Sequence, residues 1–508
     1  MRHRLTILLA SFLLLLGAPF ANAQINVQTF EGIDASTDPS AELTVDPNGA
    51  IGTKQYLEWV DTAYQGYDKT TFAGVYSSPL RADTPWVQNN MPDCKGNGGN
   101  GVILFDHLAS RWIVGVRQTN SDYFYCIAVS NTDDLTSGSF AWYTYELDLN
   151  PLLGRNRRGH AYFPDYPRLA TWSDGYYMST DLMDPDRKYQ IVGVMVCAFD
   201  RTNMLTGGTA RTPQCFRYPK PPGNVFFRAH SLLPADIEGV NPPPDGTPEY
   251  YVSVQTPVSS DSDTLNRWKL AINWTKPAAS RFQGPIRFEV PAYTPGCFNP
   301  LHPWATVCVP EPGSYYVDSI GDRVMHRFAY RRANSNDSYL ISQTVQVGSG
   351  KLSQTGIRWY ELGTGGTLVN SGTINPGDAN YRFVPSVAQD KAGNLAVGYS
   401  VSGTALYPSI SASYLNLSSG SKPTEFSIQP GSADEENSYH WGGYTSMTVD
   451  PVDDCTFWYV NEYFTTAQTG SSLTWRTRIA NFQIPGCNSA AGTDLPQKEA
   501  GRESGLHK

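Results

Sequence analysis

The sequence lacks the short motifs that mark several large enzyme classes. It contains no GxSxG elbow, no HExxH helix and no P-loop, which argues against an α/β-hydrolase, a zinc protease of that type and a P-loop nucleotidase. It also lacks any long stretch of helix formers at a 3.6-residue period. A single turn near Arg201 to Leu205 is the one helix that the pattern predicts.

Basic residues and long apolar runs are also scarce. The 508 residues carry 38 Lys and Arg against 47 Asp and Glu, a formal net charge of −9, which argues against a nucleic-acid partner. The longest apolar run, Leu5 to Leu16, is shorter than the roughly 20 residues of a membrane span. With Arg2 and Arg4 before it and Ala21-Asn22-Ala23 after it, residues 1–23 read as a secretory signal. We expect a monomer without a membrane span, secreted to the periplasm or beyond.

The cysteines show no CxxC or zinc-type spacing, so a metal site built from thiols is not indicated. Their even number in an exported chain favours disulfides. The repeat described next places them two by two in four units. It therefore predicts four pairs: Cys94 with Cys126, Cys197 with Cys215, Cys297 with Cys308, and Cys455 with Cys487.

What the sequence does contain is a repeated strand-turn-strand module. Its clearest copy is PSVAQDKAGNLAVGYS, centred on Asp390, and weaker copies recur at intervals of 60 to 86 residues, around Asp46, Asp106, Asp174, Asp236, Asp322 and Asp450. Seven such modules predict an all-β fold, a single seven-bladed β-propeller over residues 24–487. The last module is one strand short, so we expect Ile25 to Glu31 to complete it and close the ring. The polar tail from Asn488 to Lys508 is predicted to be disordered.

The same pattern predicts where a functional site lies. If each repeated aspartate caps the turn after a first strand, the aspartates lie on the face opposite the site. The residues just before first strands and just after second strands then surround the mouth of a central channel. As catalytic candidates these positions give Asp165, His230, Asp318, Arg382, His440 and Tyr444, and as substrate-binding candidates Tyr166, Arg168, Arg228, Tyr316, Trp441 and Glu462. The alternative is that these residues pair between neighbouring blades as structural contacts.

The leading hypothesis for such a ring is a secreted carbohydrate-active enzyme that cleaves a polysaccharide or glycan at the channel mouth, either a glycoside hydrolase or a polysaccharide lyase, and the alternative is a non-catalytic glycan- or surface-binding propeller. A glycosidase needs a pair of carboxyl groups facing one bond. A polysaccharide lyase needs a base, a tyrosine and an arginine that neutralises a uronate carboxylate. A non-catalytic propeller would bind an extracellular glycan through aromatic rims such as Tyr162, Trp304 and Trp441. No cofactor is expected; structural calcium could bind the acidic run Asp181 to Asp186, or Asp450 with Asp453 and Asp454.

The spelling of the modules also resembles a known family. The segments FPDYPRLATWSDGYYMST, LLPADIEG, DSIGDRVMHRFAYR, PSVAQDKAGNLAVGYSVS and WGGYTSMTVDPVDDCTFWYVNEY look like exported bacterial proteins with a predicted sialidase-like propeller. The resemblance covers nearly the whole chain after the signal and implies the fold, but it supplies no catalytic residues. The SxDxGxTW box of true sialidases is echoed only by TWSDGYYM. Arg228 and Arg382 could join an arginine cluster, with Arg168 or Arg327 as a third member.

Overall fold

The computed structural model describes residues 25–96, 98–118, 122–219, 230–254, 262–298, 306–313, 315–333, 336–348, 354–417, 420–469 and 472–487. Within these ranges the chain is built of strands with a few short helices, as the lack of helical periodicity predicts. The predicted turn is present as α3, and two other short helices and four 3₁₀ turns lie in loops. Their bounds are α1 Thr84–Gln88, α2 Asn150–Leu153 and α3 Arg201–Met204, with 3₁₀ turns at Pro92–Cys94, Pro185–Arg187, Pro277–Ala279 and Thr364–Gly366.

The strands of the described ranges form seven four-stranded antiparallel units and one two-stranded hairpin. We number the units 1 to 7 along the chain; unit 7 takes its fourth strand from the beginning of the chain. The first half of the strands are β1 Val27–Asp34; unit 1, β2 Asn48–Ile51, β3 Gln55–Trp59, β4 Ala63–Asp68, β5 Leu80–Arg81; unit 2, β6 Val102–Asp106, β7 Arg111–Gln118, β8 Phe124–Ser130, β9 Trp142–Asp148; unit 3, β10 Phe163–Thr171, β11 Tyr176–Asp184, β12 Gln190–Phe199, β13 Gln214–Pro219.

The second half of the chain continues the same plan, with the hairpin inserted between units 4 and 5. Its strands are unit 4, β14 Leu233–Ile237, β15 Glu249–Val254, β16 Ser262–Ala271, β17 Arg281–Tyr293; the hairpin, β18 Val307–Pro310, β19 Tyr316–Asp318; unit 5, β20 Val324–Ala333, β21 Asn336–Val347, β22 Gln354–Leu362, β23 Leu368–Ile374; unit 6, β24 Tyr381–Gln389, β25 Asn394–Gly403, β26 Leu406–Asn416, β27 Thr424–Gln429; unit 7, β28 Ser446–Val449, β29 Thr456–Phe464, β30 Trp475–Gln483.

The first strands of the units lie side by side. Each contacts the first strand of the next unit, and β28 of unit 7 contacts β2 of unit 1. Between units 4 and 5 the contact becomes direct parallel pairing of β14 with β20, so these two units share one eight-stranded sheet. The first strand of the chain pairs with the last: β1 runs antiparallel to β30, from Val27 opposite Phe482 to Asp34 opposite Arg476.

The core lies between the faces of neighbouring units. One apolar cluster joins Trp172 of unit 3 with Tyr251 of unit 4 and Tyr330 of unit 5, and another joins Ala388 of unit 6 with Phe457 of unit 7. Because strand residues alternate between two faces, a unit stacked on both sides buries both sets of side chains. This explains the nearly continuous apolar spelling of strands such as β7 and β29.

The four predicted disulfides are confirmed. Cys94 bonds Cys126, Cys197 bonds Cys215, Cys297 bonds Cys308, and Cys455 bonds Cys487, and no cysteine of the described chain is free. No helix in the described ranges is long and apolar enough to cross a membrane.

Two of the repeated aspartates were assigned to the wrong end of their strand. Asp46 precedes β2 and Asp322 precedes β20, whereas Asp390 and Asp450 follow β24 and β28 as predicted. Asp-Pro-Asn-Gly and Ile-Gly-Asp spellings favour a turn but do not say which end of a strand the turn occupies. Asp46 and Asp322 therefore lie at the end of the molecule where the candidate site was expected.

A left-handed backbone residue recurs where the first strands begin. Tyr166 and Val384 lie at irregularities in the pairing of β10 and β24, and the other members lie just before their strands. One occurs in each unit, with φ between 39° and 55°: Asp46, Asn100, Tyr166, Ser231, Ile320, Val384 and Gly442. Such φ values are unfavourable for residues other than Gly, Asn and Asp, so the surrounding contacts must hold Tyr166, Ile320 and Val384 in this conformation.

The side chain of Glu58 connects the first strand, β1, with the last strand, β30, and its titration can be tested. Its buried carboxylate accepts hydrogen bonds from the Ile33 N–H of β1 at 2.9 Å and from the hydroxyls of Thr477 in β30 and Tyr67. Burial nevertheless raises the pKa of Glu58 to about 7. A raised pKa in the folded state means that this group opposes folding more strongly as pH rises from its unfolded pKa towards 7.

We therefore expect the free energy of unfolding to fall by about 3 kcal/mol through Glu58 alone between about pH 4.5 and pH 7. Urea unfolding at several pH values measures the slope. Glu58→Gln should flatten it, and Glu289→Gln, at an exposed position of β17, should not. An unchanged slope in Glu58→Gln would show that this carboxyl does not titrate with folding.

Candidate functional site

Tyr444, in the segment before β28, meets Tyr166 and Arg168 near the start of β10. The Arg168 guanidinium carbon lies 3.7 Å from the ring centroid of Tyr166 and 3.7 Å from that of Tyr444. Arg168 Nη2 also donates to the Gly443 carbonyl oxygen at 2.9 Å. The irregular pairing of β10 between Asp165 and Arg168, with the left-handed Tyr166 inside it, brings both side chains to this position.

Arg168 is buried, with 1% of its surface exposed, and it is not fully bonded. Its Nε and Nη1 atoms have no hydrogen-bond partner among the described residues. Both ring nitrogens of buried His326 on β20 likewise lack a partner there. Burial and the charges of Arg168 and Arg327 hold the pKa of His326 well below its usual range. Unpaired buried polar groups are costly, so this region offers hydrogen-bonding groups that no described residue uses.

A second arginine approaches the same tyrosine from unit 5. The Arg323 guanidinium carbon lies 4.5 Å from the Tyr166 ring centroid, and the group forms two bonds to Asp322, at 2.7 and 2.9 Å. Although burial opposes the charged form, Arg323 holds the pKa of Asp322 below its usual range. Tyr166 thus has two guanidinium groups over its ring.

His230 and Asp181 continue this arrangement into units 3 and 4. Asp181 accepts hydrogen bonds from the Ser231 N–H at 2.6 Å and from the Ser231 hydroxyl at 2.9 Å. Burial raises the pKa of Asp181, while the charges of His230 and Arg323 reduce that increase. Burial also lowers the pKa of His230, against the nearby charges of Asp322 and Asp181.

Carboxyl groups from units 1 and 3 complete the site. Asp46 accepts a hydrogen bond from Asn100 Nδ2 at 3.1 Å, and burial raises its pKa despite the nearby charges of Arg168 and His440. The charge of Asp165 adds to that increase, so the two carboxyl groups interact. Asp165 itself is ion-paired with Arg117 Nη1 at 2.7 Å and is about one-third exposed. The site therefore contains one carboxyl with a raised pKa beside a salt-bridged one.

We call the whole set the rim cluster. It joins side chains from units 1, 2, 3, 4, 5 and 7, and their strands bring together residues that are hundreds of positions apart in sequence. Its members are Asp46, Asn100, Arg117, Asp165, Tyr166, Arg168, Asp181, His230, Asp322, Arg323, His440 and Tyr444.

The segment before β28 forms one wall of the rim cluster. The Gly442 N–H donates to Glu462 at 2.5 Å, and a Cβ at Gly443 would lie only 3.2 Å from a carboxylate oxygen of Asp46, a tight contact that glycine avoids. His440 is exposed, with its ring centroid 4.5 Å from that of Tyr439. The Tyr439 carbonyl accepts a hydrogen bond from the Asp318 N–H at 2.8 Å. Asp318 thus supports this wall from the hairpin, half-buried itself.

Other predicted site residues are occupied by structural contacts. Arg382 uses all five of its N–H donors, on Asp378, Glu425 and the Asn380 carbonyl, at 2.7 to 3.2 Å. Trp441 is buried and donates to Ser400 at 2.8 Å. Glu462 is buried, which raises its pKa well above the usual range. Tyr316 is exposed on β19. Arg228 and Trp304 lie outside the described residues.

The acidic runs considered for calcium are bonded to protein donors. Asp450 accepts from Lys69 Nζ at 3.0 Å, Asp453 from the Cys455 and Thr456 N–H groups, and Asp454 from Arg331. In the other run, Asp184 and Asp186 accept from Asn156 Nδ2. No group of three or more metal-binding side chains in the described ranges is arranged to hold an ion.

Several members of the rim cluster were missed by the sequence analysis. Asp46 and Asp322 were assigned to the opposite face, and Asn100, Arg117 and Arg323 were not considered. Arg117 near the end of β7 and Arg323 just before β20 satisfy the positional rule used for the other candidates. Setting the strand register on the apolar residues, rather than on the aspartates, would have placed Asp46 and Asp322 there as well.

Comparisons with known proteins were made with the whole chain. No family model and no curated protein matches it. Among solved structures, it is similar to the α-L-arabinofuranosidase of Fusarium graminearum in complex with arabinobiose (8% identity, 89% of this chain and 97% of that one, TM-score 0.38). An ulvan lyase shares 10% identity over 84% and 90% of the two chains (TM-score 0.36). The subtype N10 neuraminidase-like protein of A/little yellow-shouldered bat/Guatemala shares 9% over 76% and 100% (TM-score 0.35).

The stability of an Arg382 variant tests whether this guanidinium stabilises the fold rather than binding a ligand. Removal of its guanidinium leaves Asp378 and Glu425 without their partner, so Arg382→Ala should lower the free energy of unfolding by about 2 to 3 kcal/mol. This estimate allows for the partial exposure of both carboxylates. Chemical denaturation measures the loss. Arg476→Ala is the control, because its half-exposed pair with Asp34 at 3.7 Å should contribute less than about 0.5 kcal/mol.

Proposed function

We propose that the seven units form one closed seven-bladed β-propeller over residues 24–487, with β1 as the fourth strand of unit 7. The contact of β28 with β2 and the pairing of β1 with β30 support this closure. We further propose that residues 1–23 are removed on export. The four disulfides support an oxidising environment.

We infer that the rim cluster cleaves glycosidic bonds in an extracellular polysaccharide or glycan. The observation that carries this inference is the pair formed by Asp46 and Asp165. A carboxyl whose pKa is raised by burial, close to a second carboxyl that is ion-paired with Arg117, is an arrangement that acid-base cleavage of a glycosidic bond uses. Tyr166, with Arg168 and Arg323 over its ring, and Asn100 provide the polar contacts that would orient a sugar ring beside them.

Each carboxyl has a definite role in the proposed reaction. Asp46, whose pKa is raised by burial, holds a proton and transfers it to the glycosidic oxygen as the bond to the anomeric carbon breaks. Asp165, held by Arg117, acts on the anomeric carbon, either directly as a nucleophile or by removing a proton from the attacking water. The anomer released first distinguishes the two: retention means direct attack and inversion means water activation.

A lyase is the second candidate, and Arg168 favours it, because its Nε and Nη1 atoms have no hydrogen-bond partner among the described residues. This guanidinium, which lies over the Tyr166 ring, could neutralise a uronate carboxylate while His230, or Tyr166 in its deprotonated form, accepts the proton at C5 and the C4–O bond of the glycosidic link breaks. A glycan-binding protein without catalysis is the alternative outside the enzyme class.

Incubation with neutral and acidic polysaccharides distinguishes the hydrolase, the lyase and the binding protein. Reducing ends alone mean hydrolysis, reducing ends with an unsaturated product mean a lyase, and retention without product means binding.

The two carboxyl groups give the sharpest test of the hydrolase. Asp46→Asn and Asp165→Asn should each lower kcat by about 10²- to 10⁴-fold, because each removes one proton-transfer or attacking group. Asp245→Asn, at an exposed loop position, should leave kcat unchanged. Wild-type kcat in both Asn variants would exclude the pair as the catalytic groups.

The role of Asp46 as the acid can be tested separately. An aryl glycoside with a good leaving group does not need protonation, so Asp46→Asn should keep most of its activity on that substrate while losing it on the polysaccharide. The wild-type rate on the polysaccharide should fall as pH rises through the raised pKa of Asp46, since the acid then loses its proton. Equal losses on both substrates would assign Asp46 a different role.

A further inference from the structure

Three exposed tyrosines lie beside the rim cluster, and the proposed cleavage does not use them. Tyr315 and Tyr316 belong to the hairpin of β18 and β19, and Tyr439 belongs to the segment before β28. They expose 41%, 54% and 51% of their surfaces, among the largest exposed apolar side chains of the described chain. We call these three residues the tyrosine ledge.

The tyrosine ledge is held rigidly from below. The Asp318 N–H of β19 donates to the Tyr439 carbonyl at 2.8 Å, which joins the two backbone segments that carry the rings. The Glu435 N–H donates to Glu311 at 2.9 Å, and the Ser402 hydroxyl donates to the Pro310 carbonyl at 2.8 Å. Because the backbone that carries the rings is already ordered, only side-chain freedom is lost when a ligand binds on them, which favours binding.

The tyrosine ledge is continuous with the rim cluster. The ring of Tyr439 lies against that of His440, at 4.5 Å between centroids, and His440 is one of the charges that act on Asp46. Three residues later, Gly443 and Tyr444 contact Arg168. A chain of sugars bound with one bond at Asp46 and Asp165 would therefore extend over the tyrosine ledge.

Charge indicates which sugars could lie there. Four carboxyl groups lie beneath the hairpin. Glu311 and Glu435 are buried, and burial raises their pKa values to about 8 and about 7, whereas Glu436 accepts a hydrogen bond from the Tyr315 hydroxyl, with Asp434 nearby. An acidic sugar over the tyrosine ledge would therefore lie close to the negative charge of Glu436, whereas a neutral sugar presents C–H faces to the rings and a hydroxyl to Glu436.

We propose that the tyrosine ledge is a stacking platform for neutral sugar residues, so that the enzyme acts on polymers that carry several of them in succession. This inference rests on the proposed function for the position of the cleaved bond. Binding by the platform itself does not require catalysis. The two can therefore be tested apart.

The test is binding of the mature chain to soluble neutral polymers (xylan, galactan, arabinan, mannan) and to polygalacturonate, by affinity electrophoresis. We expect retention by at least one neutral polymer. Tyr316→Ala and Tyr439→Ala should each weaken it about tenfold, the loss of one stacked ring. Tyr316→Phe and Tyr439→Phe should stay within about twofold, since they keep the ring. Val369→Ala, at an exposed residue of β23, is the control at a distant surface.

The outcomes separate the platform from the catalytic site. Asp46→Asn and Asp165→Asn should bind the polymer like the wild-type chain even when cleavage is lost. If these Asn variants still cleave while the alanine variants lose binding, the catalytic assignment fails and the platform stands. The platform is overturned if no neutral polymer retains the wild-type chain, if the alanine variants bind as tightly as the wild type, or if polygalacturonate is the preferred ligand.

Discussion

The inner edge of the first strands, which has no strand partner except where β14 pairs with β20, is the constraint on which the rest of this structure depends. A backbone N–H buried there without a partner would be destabilising, and in most of the units a side chain from the neighbouring unit satisfies it. Asn48 accepts from the Ile103 N–H at 2.8 Å, Asp236 from the Thr171 N–H at 2.8 Å, and Ser386 from the Met447 N–H at 2.9 Å. Polar residues in the interior of the first strands are therefore part of the framework, and this includes Asp236 with its buried partner Arg327.

Near the start of the first strands the backbone turns away from the neighbouring strand. The side chains there no longer accept hydrogen bonds from the N–H groups of that strand. The left-handed residues at the strand entrances redirect the backbone, and the next side chains meet partners from distant units instead of supporting a sheet edge. Arg168 shows the difference: it donates to Gly443, 275 positions away, and its other two nitrogen atoms have no partner among the described residues. Arg382, at the start of β24 three units further along the chain, has no donor to spare.

The sequence predicted what depends on local pattern and missed what depends on distant contacts. Strand-turn-strand spacing was enough for the all-β architecture and for the cysteine pairs, because each pair lies within one module or one loop. The same spelling misplaced Asp46 and Asp322, since turn residues occur at both ends of a strand. Whether Arg168 or Arg382 is available for a ligand depends on side chains from other strands, such as Tyr444 or Glu425, and nothing near either arginine in the sequence distinguishes them.

The last strand, β30, illustrates how the chain protects its ends. It lies between β29 and β1, Cys487 just beyond it is bonded to Cys455, and Glu58 of unit 1 connects Ile33 with Thr477. Strands at chain ends are normally the first to fray and to expose a cleavable backbone. Here neither end can peel away alone, because releasing β1 or β30 also disrupts unit 1. Cleavage by a peptidase would then require units 1 and 7 to open together, rather than local fraying of β1 or β30 alone.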